Sequence, residues 1–164
     1  MNFSEMVQKQ IELDNRIIKE HGLENKSLLK KKIIALLVEI GECCNEIQDF
    51  KFWKKNLNTD STKIKEELVD ILHFILTIGL ESKFDMRELN KIDRNIYVED
   101  INDIFIELYT TTVIFHSYRT EFNYYNIMRA FLKLTKSLGL TEIDIVNEYN
   151  KKNRKNIGRQ ENNY

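Results

Sequence analysis

Proline is absent from the 164 residues and glycine occurs only five times. The turn chemistry that bounds strands and closes hairpins is missing with them, which argues against a strand-rich fold and leaves helices. No apolar run approaches the roughly 20 residues that span a bilayer, and the opening MNFSEMVQKQ has no hydrophobic signal core. A cytoplasmic protein without a membrane partner is expected. The two cysteines, Cys43 and Cys44, are adjacent; on a helix they point about 100° apart, which excludes a disulfide between them and makes them small buried hydrophobes. With a net charge of −1 there is no global positive field to collect nucleic acid. Any polyanion must be met by a local cluster.

What is present is a chain of one-domain size, residues 1–164, with 42% hydrophobic and 31% charged residues. That is enough apolar material for one continuous core. The periodicity predicts an all-α bundle of about six helices. The first starts at Ser4 as N-cap and ends before Gly22; the second is capped by Ser27; the third is capped by Asp60 or Ser61 and reaches about Glu81. Residues 82–100 read as a long connection with one helical turn. Segments from Ile101 to Tyr118 and from Tyr124 to Leu138 follow, and Thr141 caps a sixth helix. The aromatics of the fourth and fifth segments serve the core or a dimer surface.

Two helices carry acid where apolar residues belong. In LLKKKIIALLVEIGECCNEI the three-and-four spacing stacks Ala35, Glu39, Glu42 and Glu46; in KIKEELVDILHFILTIGL it stacks Lys63, Glu67, Asp70 and Phe74. Like charges about 4 Å apart repel by roughly 4 kcal/mol at a protein-like dielectric. Either these carboxylates sit wet at the helix borders, or they converge on a hard divalent cation such as Mg²⁺, which takes carboxylate oxygens and keeps positions for water and phosphate. Two such pairs on consecutive helices favour the second reading.

Four further features stand out at this level. Gln10 and Asp14 interrupt the apolar line Phe3, Val7, Ile17, so they bond a neighbouring helix or face a ligand. In DFKFWKK, Phe50, Phe52 and Trp53 alternate with lysines, as a cap on the core or as a flap for a nucleotide. His73 lacks a Glu-x-x-His partner motif and reads as a core histidine. In the C-terminal stretch, Lys152, Asn156 and Arg159 are spaced to line one face, donors suited to a phosphate chain.

Taken in order, Gln10 to Asp14, Glu39-Ile-Gly-Glu42, FKFWK, Glu67-Leu-Val-Asp70 with His73-Phe74, and KNRKNIGRQ ending in Tyr164 resemble the dimeric all-α dUTP diphosphatases of the all-α nucleoside triphosphate pyrophosphohydrolase superfamily. The resemblance leaves the middle of the chain unassigned, and its tail separates this family from MazG-like and dCTP-directed relatives. It implies Mg²⁺-dependent hydrolysis of dUTP, and of dUDP, by a homodimer. Glu39, Glu42, Glu67 and Asp70 would hold two or more Mg²⁺ ions. Gln10 and Asp14 would lie beside the base with Trp53 and Phe74 as apolar walls, and Lys152, Asn153, Asn156 and Arg159 would contact the phosphates. Glu42 is the expected general base for the attacking water. Asp14 stands where many members carry asparagine. The alternatives are a broader dNTP pyrophosphohydrolase and a non-enzymatic helical module whose acidic face binds a basic partner.

Overall fold

The computed structural model describes residues 2–95, 97 and 100–161, with Glu161 described by its backbone alone. The C-terminal Tyr164 singled out above lies outside the described residues. Among the described residues there are six α-helices and one 3-10 segment: α1 (Phe3–Glu20), α2 (Leu29–Ile47), α3 (Ser61–Glu81), the 3-10 segment Met86–Lys91, α4 (Ile101–Ser117), α5 (Glu121–Ser137) and α6 (Glu142–Glu161). No helix is long and apolar enough to cross a membrane among the described residues.

The third helix is the axis. Leu68, Val69, Ile71, Leu72, His73 and the run from Ile75 to Gly79 are buried, so α3 is enclosed nearly all round over its C-terminal half. It packs against α1, α2, α5 and α6, while α4 pairs with α5 and touches α2. Gly79 shows how tight the enclosure is: a Cβ there would lie 2.4 Å from the hydroxyl of the fully buried Tyr124.

Helix ends follow local chemistry except where a distant residue intervenes. Asp60 caps α3 through the N–H groups of Thr62 and Lys63, as the sequence suggests. Thr141 and Asp144 exchange hydrogen bonds as a capping box at the start of α6. The first helix starts at Phe3 rather than beyond Ser4, because Asn90 accepts the Phe3 N–H at 2.8 Å and Asn2 caps the next turn. Ser27 does not cap α2; the Leu28 N–H donates instead to the Glu81 carboxylate at 2.7 Å. Thr120 caps α5, which starts at Glu121, three residues before the expected Tyr124. The basic C-terminal stretch is no separate tail, since α6 runs through it to Glu161.

Candidate functional site

Helices α1, α2, α3 and α6 enclose a cleft of about 400 Å³. Its floor and walls combine Leu13, Ile17, Ile18, Leu28 and Phe74 with Gln10, Asp14, Lys32, Thr77 and His73, and then with Glu39, Asp70, Lys152, Asn156 and Arg159. One end is acidic and the other is a bonded polar network.

At the acidic end, one carboxylate oxygen each from Glu39, Glu67 and Asp70 lies within 4.8 Å of the others. The two acidic stripes therefore converge at these three residues, the second of the two readings the spacing leaves open. Burial pushes the Glu39 carboxyl up to about 7, with Asp70, Glu42 and Glu67 adding to the effect. Burial likewise raises Glu67 and Asp70. Glu42 is exposed; it stands at the rim, where it shares a second depression with Glu46 and Glu67. Glu67 lines that depression while Glu39 and Asp70 line the cleft, so the cluster lies between the two hollows.

The donor set suits a hard cation. All three groups are carboxylates, and their spread is close to the at most about 4.2 Å between opposite oxygens on one Mg²⁺. Cys43, the nearest soft donor in sequence, is buried with its thiol pushed up by desolvation, so it offers no thiolate. Lys152 reaches the same cluster, bonding Asp70 and, at 3.1 Å, Glu66. Burial opposes the Lys152 charge, but the bonds to Asp70 and Glu66 outweigh it and raise its pKa. Glu66, held by Lys155 and Lys152, is pulled down to about 2.

At the other end Gln10 and Asp14 bond neighbouring helices, and both also line the cleft. Gln10 is buried and donates its amide to Asp14 Oδ1 at 2.8 Å. A carboxylate only accepts, so this bond fixes the amide orientation. Gln10 Oε1 then accepts from the Tyr149 hydroxyl at 3.0 Å and from His73 Nδ1 at 2.7 Å. His73 is therefore neutral with its proton on Nδ1, and its ring stacks on Tyr149 at 4.3 Å. Burial and the Lys152 charge push its pKa down to about 3. Asp14 also accepts from Thr77 and lies 3.7 Å from Lys32.

Two expected contacts fall elsewhere. Asn153 is buried against α1, where it donates to the Lys9 carbonyl at 3.5 Å, and it does not line the cleft. Trp53 is 62% exposed beyond the C-terminal end of α2, in edge contact with Phe52 at 5.1 Å. Its segment is tied there by Lys51 to Asn45 and Lys54 to Gln48, about 22 Å along α2 from Lys32. The aromatics of DFKFWKK therefore neither cap the core nor wall this cleft, and Phe74 is the aromatic that does. The sequence reading missed Lys32, Thr77 and Glu81, although each extends an acidic stripe by seven or eleven residues.

No curated protein matches the chain. A family model described as dUTPase matches residues 2–164. With that match over an all-helical fold, the chain belongs to the dUTPase family and is a dUTP diphosphatase of the all-α kind.

Proposed function

We propose that the chain hydrolyses dUTP, and dUDP, to dUMP with Mg²⁺ bound at Glu39, Glu67 and Asp70 and with Glu42 bordering a second ion. The convergence of three half-buried carboxylates with raised pKa values carries this reading, since acid that Lys152 offsets only in part favours a cation. When bound, the metal supplies Lewis-acid charge over the phosphates and a water of lowered pKa.

The remaining steps belong to side chains. Lys152, Asn156 and Arg159 line the cleft on α6 and donate to the phosphate oxygens. Phe74, Leu13 and Ile17 pack the base against the Gln10–Asp14 end, where the polar network fixes its edge. Glu42 at the open rim takes the proton of the attacking water. As the water oxygen bonds to phosphorus, the phosphoanhydride bond breaks and diphosphate leaves from dUTP. The expected result is Mg²⁺-dependent release of diphosphate from dUTP, with much slower turnover of dTTP and dCTP. Turnover should be lost in Glu42→Gln with the helical circular dichroism unchanged. Undiminished turnover in that variant removes Glu42 from the role, and equal rates on the three nucleotides favour a broader dNTP pyrophosphohydrolase.

Residues 1–164 act as one catalytic unit in this reading, supported by a core cluster drawn from every helix. The subunits pair through α2 and α4, where Ile34, Val38, Ile106 and Val113 are each half or more exposed. Light scattering from a monomer at micromolar concentration would contradict the pairing. Two free thiols, Cys43 and Cys44, suit a reducing cytoplasm.

A further inference from the structure

Lys32 occupies a place that neither the phosphates nor the acid cluster explains. It stands two turns before Glu39 on the same face of α2, about 10 Å along the helix from the carboxylates, and it lines the cleft beside Asp14, Phe74 and Thr77. Its side chain is 16% exposed, with Nζ 2.8 Å from Glu81 Oε2 and 3.7 Å from Asp14 Oδ2. Glu81 is itself anchored, because its other oxygen accepts the Leu28 N–H. The ammonium is thus held at the start of α2 by a fixed carboxylate.

Hydrogen-bond capacity decides what each group can offer a base. Asp14 accepts from the Gln10 amide and the Thr77 hydroxyl and faces Lys32 as well, so its oxygens are largely committed. A carboxylate would also repel the carbonyl oxygens of uracil. An ammonium has three N–H groups and no acceptor. Glu81 takes one of them, and the 3.7 Å separation from Asp14 is too long for a full hydrogen bond. Donor capacity therefore remains at the base end of the cleft.

We propose that Lys32 is a specificity-determining residue that donates to the O4 carbonyl of uracil. Cytosine carries an amino group at that position, and two donors then face each other without an acceptor, which leaves one N–H of a largely enclosed ammonium unpaired. Asp14 and Glu81 act as positioning residues for the ammonium. The assignment rests on the reading that the base lies at the Gln10–Asp14 end, and thymine, which keeps O4, is not distinguished by it.

The test compares kcat/KM for dUTP and dCTP in the wild-type enzyme, Lys32→Met and Lys32→Arg. The Met variant should lower the dUTP-to-dCTP ratio by at least about tenfold, mostly through lost dUTP turnover, as expected for a hydrogen bond to a charged donor. The Arg variant should keep most of the ratio. Substrates probe the same contact without mutation: 4-thio-dUTP, whose sulfur accepts poorly, should be a weaker substrate than 2-thio-dUTP. An unchanged ratio in a folded Met variant, or equal turnover of the two thio analogues by the wild type, overturns the role of Lys32 while leaving the site intact. Failure of the wild type to hydrolyse dUTP removes the site reading and this assignment together.

Discussion

Asp14 and Glu39 are both acidic residues set into apolar helix faces, yet the structure treats them in opposite ways. Asp14 has Gln10, Thr77 and Lys32 around it. Glu39 has Asp70, Glu67 and Glu42 as its charged neighbours, relieved only by Lys152 at longer range. The Gln10–Asp14 end of the cleft is thus largely bonded within the chain, with Gln10 and Asp14 partnered and donor capacity left on Lys32. The acidic end is left electrostatically strained, with Lys152 offsetting only part of its charge. Under the proposed function, selection falls to the bonded end and cation binding to the acidic one.

The sharpest way to break the comparison is Glu39→Gln. If the acidic end is strained, removing one carboxylate relieves repulsion. Discounted for its partial exposure, the relief is about 1 kcal/mol, so the melting temperature in EDTA should rise by roughly 2–4 °C. The same change should remove most of the stabilisation that Mg²⁺ gives and lower dUTP turnover by about a thousandfold. A variant that melts lower in EDTA would show that Glu39 has a stabilising partner and that the two ends are alike.

Much of the acidic end was legible because helical spacing is local. Glu39, Glu67 and Asp70 stood out as breaks in apolar lines, and the fold brings them within reach of one another. Lys32, Thr77 and Glu81 extend the same stripes by further turns, but a single lysine among 25 basic residues carries no mark of its own. What identifies Lys32 is Glu81, 49 residues away and on another helix. The start of α1 depends in the same way on Asn90, which lies beyond any local pattern. Asn153 and Asn156 differ by less than one turn of α6, and only the packing of that helix on α1 decides that one is buried and the other lines the cleft. The family resemblance makes Trp53 a base wall, whereas its position is set by the hydrogen bonds of Lys51 and Lys54 to the end of α2.

A smaller effect sharpens the contrast through pH. At the base end, the buried imidazole of His73 has its pKa pushed down to about 3, while in the unfolded chain it takes up a proton near pH 6.5. Between those values the unfolded state binds more protons, so the contribution of His73 is fully present above pH 6.5 and is lost as the pH falls toward 3. The loss between pH 7 and pH 4 is on the order of 3 kcal/mol. Glu39, raised to about 7, has the opposite sign, since the folded state holds the extra proton between about 4.5 and 7. Urea unfolding of the wild type and of His73→Asn, whose amide can still donate to Gln10, separates the two contributions. The Asn variant should be less stable at pH 7 and should lose about 3 kcal/mol less than the wild type on acidification. Parallel pH profiles for the two proteins would mean that His73 titrates normally in the folded chain, and the base end would then be no more closed to charge than the acidic one.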